Sequence, residues 1–177
     1  PASDTTLKEE QSKGYDFGLS WLAASGLYLE AVYFDQKVED EIYFDLVDYS
    51  GYLQRNGDTD SSGVELVAEW PLLESLALSA NYTFNDTETS SGASRPYRPE
   101  HLANLGLNWR TLAGKLVLGA SWRMSRDAED IDGTGLDNYQ LLELTASYQL
   151  VEDLQLYGRL ENALDEDYEE VPTYNTS

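Results

Sequence analysis

The chain has 177 residues, of which 41% are apolar and 12% aromatic, and 11 Lys+Arg against 33 Asp+Glu give a formal net charge of −22. That balance argues against a nucleic-acid binder, which needs a basic face for phosphates, and against basic docking on anionic lipid. With no cysteine and a single histidine, His101, disulfides, thiolate metal sites and cysteine catalysis are excluded, and a histidine-based triad is disfavoured.

In chain order, the dominant hydrophobic period is two, that of a β-strand. It predicts about eight strands, at 13–22, 27–44, 51–70, 75–87, 99–110, 115–126, 138–150 and 154–162. They fall into four similar hairpins, an internal repeat. The first strand of each ends in an aromatic, at Leu19–Ser20–Trp21, Ala68–Glu69–Trp70, Leu107–Asn108–Trp109 and Ala146–Ser147–Tyr148. The second alternates leucine, a small residue and an aromatic, at Leu27/Leu29/Ala31/Tyr33, Leu76/Leu78/Ala80/Tyr82 and Leu116/Leu118/Ala120/Trp122. In the last hairpin, Leu154/Leu156/Gly158/Leu160, leucine takes the aromatic place. Short turns, Ala23–Gly26, Pro71–Glu74, Thr111–Gly114 and Val151–Asp153, close each hairpin. Longer polar loops, near 45–60, 88–98 and 127–137, join one hairpin to the next.

Three architectures share this strand count. A propeller needs about four strands per repeat of this length, and here there are two. A soluble β-sandwich also alternates apolar and polar residues. A transmembrane β-barrel predicts long strands, short turns at one end, long loops at the other, and an apolar band flanked by aromatic girdles. The loop asymmetry repeated four times favours the barrel, with the sandwich as the alternative. No apolar run approaches the ~20 residues of a membrane helix. On the barrel reading, Leu19, Leu29, Leu66, Leu78, Leu107, Leu118, Leu144 and Leu156 face lipid. Trp21, Tyr33, Trp70, Tyr82, Trp109, Trp122 and Tyr148 sit at the membrane interface, where an aromatic ring rests in the headgroups and its polar tip meets water. Trp21, Trp70 and Trp109 are expected at one level, at the short-turn end. The other face carries Glu65 with Glu69, Asn104 with Asn108 and Arg110, and Arg159 with Glu161, and lines a wet or plugged lumen.

Three segments resemble the C-terminal part of TonB-dependent outer-membrane receptors. Leu7–Lys8–Glu9–Glu10–Gln11–Ser12–Lys13–Gly14–Tyr15–Asp16–Phe17–Gly18 is similar to a strand start of that family, with Glu9 where proline is usual. Ser62–Gly63–Val64–Glu65–Leu66 is similar to another strand start. Leu160–Glu161–Asn162–Ala163–Leu164–Asp165–Glu166–Asp167–Tyr168–Glu169 is similar to a late signature, with Ala163 and Leu164 replacing Leu and Phe. Among subfamilies the chain most resembles vitamin B12 receptor-like members, through Tyr33–Phe34–Asp35 and Val38–Glu39–Asp40–Glu41–Ile42. The resemblance implies a plugged barrel of 22 strands, of which this chain supplies about eight. The plug and the last aromatic-ended strand are then absent, and the chain, stopping at Tyr174–Asn175–Thr176–Ser177, reads as a fragment. It further implies energised uptake of a scarce nutrient, cobalamin or a ferric siderophore, across the cell outer membrane. The implied partners are outer-membrane lipid, the remaining strands and plug, a TonB-type energising protein reached through the plug, and the nutrient itself. Alternatives are a small closed eight-stranded barrel with a structural or adhesive role, a barrel enzyme, and the soluble sandwich.

Candidate sites are few. Asp127, Asp130 and Asp132 lie in a loop whose D-x-D-G spacing resembles half a calcium loop without its bidentate glutamate, so a solvated acidic loop is favoured over a metal site. Glu39–Asp40–Glu41, with Asp45 and Asp48, either repels anionic ligands or keeps a surface soluble, and the second is favoured. His101 has only the loop residues Ser90 and Ser91 as nucleophiles to serve, and a structural role is favoured. Arg95–Pro96–Tyr97–Arg98–Pro99 reads as a rigid loop return. No catalytic residue and no cofactor are expected.

Overall fold

The computed structural model describes residues 7–45, 48–55 and 57–170. The segment Tyr174–Ser177 lies outside the described residues. Among the described residues ten strands form: β1 (Gln11–Leu22), β2 (Tyr28–Glu39), β3 (Ile42–Phe44), β4 (Tyr52–Gln54), β5 (Asp58–Leu73), β6 (Leu76–Thr89), β7 (His101–Thr111), β8 (Leu116–Arg126), β9 (Tyr139–Val151) and β10 (Leu154–Leu160). Eight of them make one antiparallel sheet in the order β1-β2-β5-β6-β7-β8-β9-β10, and β3 pairs with β4 in a separate small hairpin.

Two of the expected strands break. The span 27–44 divides into β2 and β3, and 51–70 into β4 and β5. Asp40, at φ 57°, and Gly57, at φ 102°, leave the extended region at the two breaks. The chain between them folds back as the β3–β4 hairpin instead of prolonging the ladder. At the other end β5 runs on through Pro71, which was expected in a turn. The register slips between Pro71 and Leu73, a bulge that accommodates a residue without an N–H donor.

The sandwich is overturned by the layering, since the eight long strands lie in a single sheet. Among the described residues β1 and β10 each have one neighbour, so these strands do not close on themselves as a small barrel. Large apolar side chains stay exposed along the sheet, including Leu19 at 67%, Leu105 at 51% and Leu156 at 54%. The buried hydrophobic residues, Val38 and Tyr139, and the buried polar ones, Glu41, Asp45, Thr59, Thr87, Thr89 and Ser125, all lie at the long-loop end. Among the described residues the wall carries no core of its own, and the packing is concentrated where the long loops gather.

Candidate functional site: the two faces of the sheet and the long-loop end

Strand pairing places side chains on faces, because neighbours in register share a side. Leu29 pairs with Trp21 and Ala68, Ala68 with Ala80, Ala80 with Leu105, Leu105 with Trp122 and Trp122 with Leu142. Followed across all eight strands, this puts Leu19, Leu29, Leu66, Leu78, Leu107, Leu118, Leu144 and Leu156 on one apolar face with all seven of the singled-out aromatics. Along β6 that face reads Leu76, Leu78, Ala80, Tyr82, Phe84 and then Asp86. At ~3.4 Å per residue and an ordinary barrel tilt, its apolar stretch is about 20 Å tall.

The aromatics that end the first strand of each hairpin form a ramp. The register of Trp21 runs through Leu29 to Ala68, and Trp70 stands two positions farther along β5. Trp70 leads through Leu78 to Leu107, two short of Trp109, and Trp109 leads through Leu118 to Ala146, two short of Tyr148. Each hairpin therefore advances the row by two residues over two strands. At ~3.4 Å per residue and ~4.8 Å per strand, the ramp is inclined at about 35° to the hydrogen bonds. Strands tilted by that angle, within the 35–45° of barrels, bring all four rings to one height. Tyr33, Tyr82 and Trp122 form a second ramp of the same pitch. Phe84 and Met124 lie one outward position beyond Tyr82 and Trp122, so this row crosses the apolar stretch near its upper limit.

The opposite face is polar. Arg159 bridges Glu143, at 2.6 Å, and Glu161, at 2.8 Å, and Asn104 donates to Asn81 at 2.8 Å. Glu30, Glu65 and Glu69 share this face. Gly63 also points to it, with the Phe34 ring lying over the place its side chain would occupy.

At the long-loop end the acidic run is not one solvated surface. Glu39 pairs with Lys13 at 3.5 Å, while the Glu41 side chain is only 7% exposed. Glu41 accepts from the Thr59 hydroxyl at 2.6 Å and from Arg55 Nε at 3.2 Å, and it pairs with Arg95. Asp45 accepts from the Ser50 hydroxyl at 2.6 Å. Burial pushes the Glu41 carboxyl up, but the Thr59 hydrogen bond and the two guanidiniums outweigh it and hold the group below its ordinary range. A depressed carboxylate stabilises the fold above its unfolded value, and that contribution is lost as pH falls through the folded one. Acid below about pH 4 is therefore expected to loosen the β3–β4 hairpin. The NMR amide signals of Arg55 and Thr59 should shift and broaden between pH 6 and 3, and Glu41→Gln should show the same change at pH 7. Signals that hold constant through that titration contradict the clamp.

The three candidate metal carboxylates are held apart. Asp127 points toward His101 at 3.8 Å, Asp130 accepts from Ile131 N–H at 2.7 Å and from the Tyr97 hydroxyl, and Asp132 accepts from Thr134 N–H at 2.8 Å. Among the described residues no group of three His, Cys, Asp or Glu is placed to hold a metal. The Asp130 hydrogen bond, then burial, pushes the Tyr97 hydroxyl up to about 12. Tyr97 N–H also donates to the Glu129 carbonyl at 2.8 Å, so the 90–100 and 127–138 loops are tied together. His101 sits on the apolar face, its Nδ1 at 2.8 Å from the Tyr82 hydroxyl and its ring 5.1 Å from Phe84, in a structural setting.

Sequence reasoning missed the most organised cluster on the polar face. Arg123 Nη2 donates to Glu170 Oε1 and to the Tyr139 hydroxyl, each at 3.1 Å, and the Tyr139 hydroxyl donates to the same Glu170 oxygen at 2.9 Å. The cue was available: Arg123 and Tyr139 both take polar-face positions in their strands.

A family model described as TonB dependent receptor-like, β-barrel, matches residues 1–163. The chain belongs to the TonB-dependent receptor β-barrel family. Members are outer-membrane transport receptors of Gram-negative bacteria, not enzymes. No curated protein sequence matches the chain. Among solved structures, the receptor barrel resembles a copper transporter, OprC, at TM-score 0.77 and 22% identity over 96% of this chain and 28% of that one. It resembles the ferric yersiniabactin uptake receptor FyuA of Yersinia pestis at TM-score 0.75 and 22% identity, over 95% of this chain and 27% of that one. It resembles the ferric-catecholate import receptor Fiu of E. coli K12 at TM-score 0.74 and 21% identity, over 94% and 25%. Identities this low establish the shared fold, and the chain spans about a quarter of the length of these receptors.

Proposed function

We propose that this chain is part of the wall of an outer-membrane receptor that takes up a scarce metal-bearing nutrient, energised through a plug by a TonB-type partner. The observation that carries the reading is the apolar face with its aromatic ramp, which matches a tilted barrel wall in lipid. On this reading the eight leucines of that face contact acyl chains. Trp21, Trp70, Trp109 and Tyr148 sit among the headgroups on the short-turn side. Tyr33, Tyr82 and Trp122 reach toward the opposite interface, where the Tyr82 hydroxyl already has a polar partner in His101.

The free edges at β1 and β10 support completion by further strands of the same receptor, because unpaired backbone groups are costly in lipid. The polar face then turns to a plug. The names of the similar structures bring copper, ferric catecholate and ferric yersiniabactin forward as ligand types. The cobalamin alternative rests on the resemblance carried by the 33–42 stretch alone. A ferric or copper chelate is therefore the favoured cargo.

The test is uptake by cells lacking the full-length gene, using radiolabelled iron and copper chelates and labelled cobalamin. Loss of one metal chelate's uptake, restored by the gene, is the expected result. Undiminished uptake of every metal chelate sinks the metal assignment, and loss of cobalamin uptake alone redirects it.

A further inference from the structure

We infer that Arg123 and Tyr139 form a carboxylate-binding subsite on the lumen side of the long-loop end, and that Glu170 occupies it in place of a ligand. Two donors from different strands converge on a single carboxylate oxygen, Glu170 Oε1, at 3.1 and 2.9 Å. That oxygen arrives from a segment far along the chain, after β10. The Tyr139 ring is fixed by Tyr168, centroids 4.6 Å apart, and the Arg123 guanidinium lies 5.8 Å from the same ring. Tyr139 is 7% exposed, and Ser125 beside it 4%. The Tyr139 donor is thus held in place, as a binding site requires, while the Arg123 side chain, 47% exposed, reaches it from the open side. Charge-assisted bonds of this kind are about twice as strong as neutral ones.

The subsite opens into a cavity of about 280 Å³ whose walls include Tyr97, Arg126 and Leu136. That is below the ~300–1,000 Å³ of a pocket that encloses a whole drug-sized ligand. It suits one arm of a larger molecule. The charges around it narrow the chemistry further. Arg126 adds a second guanidinium, while Asp137 and Glu169 add two carboxylates. With Glu170 displaced the wall is balanced, so it takes one carboxylate on an otherwise neutral or cationic skeleton and disfavours a dianion. Displacing Glu170 releases only its own carboxylate from β8 and β9, because Ala163 N–H stays on the Leu142 carbonyl at 2.7 Å and Tyr168 stays against the Tyr139 ring. The direction of approach rests on the uptake reading above, whereas the binding chemistry does not.

The experiment uses the full-length receptor in detergent micelles and ligand-observed NMR titration with 5-aminopentanoate, its methyl ester and glutarate. The first is expected to bind, the ester to lose binding, and glutarate to bind more weakly. Glu170→Gln removes the internal competitor and should tighten 5-aminopentanoate about tenfold if Glu170 fills the site nine-tenths of the time. Arg123→Gln should abolish binding. Glu170→Gln keeps the proposal testable should Arg123→Gln fail to fold, because it alters an exposed segment. Equal binding of acid and ester, or no gain in Glu170→Gln, shows that Glu170 is a structural strap and overturns the subsite. Tighter binding of glutarate overturns the assigned charge. No binding of 5-aminopentanoate by the wild-type receptor while uptake persists refutes the subsite alone, and binding without any uptake phenotype refutes the transport reading alone.

Discussion

Arginine in place of Leu105 is expected to remove about 2–4 kcal/mol of stability in a bilayer, the cost of a cation near the midplane of a barrel's lipid face. Leu105 is the middle outward residue of β7, with Leu107 and Trp109 toward the short turn and Ala103 and His101 toward the long loops. Its side chain is 51% exposed within the chain, so the substitution creates no internal clash and reports on the surroundings. Two companions calibrate the reading. At Trp109, which the proposed reading puts at the interface, the added charge should cost only about 0–1 kcal/mol. At Ser121, on the polar face opposite Glu143, arginine should be tolerated. Urea unfolding in phospholipid vesicles measures all three. Equal costs at Leu105 and Ser121 would remove the distinction between a lipid face and a lumen face. A larger charge cost at Trp109 than at Leu105 would displace the aromatic ramp from the interface.

Valine in place of Gly63 is expected to prevent the wall from forming, at a cost of about 3 kcal/mol or more, the upper range for forcing extra volume into a packed site. A side chain at Gly63 would run into the Phe84 carbonyl oxygen, and its Cβ would stand 2.6 Å from Phe34 Cζ. The carbonyl is the harder obstacle, since it belongs to the β5–β6 ladder that pairs Gly63 with Asn85 and Val64 with Phe84. Trimming the ring by Phe34→Ala should therefore fail to rescue Gly63→Val. Heat-modifiable migration on gels reads the folded fraction, and a Gly63→Val barrel that folds in the wild-type yield defeats the argument.

The repeated hairpins were legible because a strand with one apolar and one polar face writes that difference into every second residue. The alternation of Leu76, Leu78 and Ala80 with Ala77, Ser79 and Asn81 settles both the strand and its faces. The short turns and the terminal tryptophans gave the polarity of the wall. The break after β2 was not legible, because 27–44 keeps an extended-looking composition and only the φ of Asp40 turns the chain. The loop-end clusters were hidden for a different reason. Glu41 meets Arg95 across 54 positions and Arg123 meets Glu170 across 47, and no local pattern encodes such meetings. Acidic residues that looked like a solvated run thus divide into an exposed ion pair at Glu39 and a buried clamp at Glu41. The proposed carboxylate subsite left one trace, two polar groups at polar-face positions of neighbouring strands, but its occupant comes from outside them.

The constant advance of two residues per hairpin has a consequence for how such a wall can change size. Each hairpin is a tile that leaves the next one at the same height and the same slope. Trp70, Trp109 and Tyr148 are evenly spaced along the chain, whereas Trp21 is set farther off by the extra length of the β3–β4 excursion. Length inserted in an outer loop therefore leaves the ramp undisturbed. Inserting or deleting one whole tile widens or narrows the wall and keeps every tryptophan in its row. Removing a single strand would instead reverse the direction of all that follow. Growth in pairs, with novelty confined to the connections on one side, is the mode of variation this geometry permits.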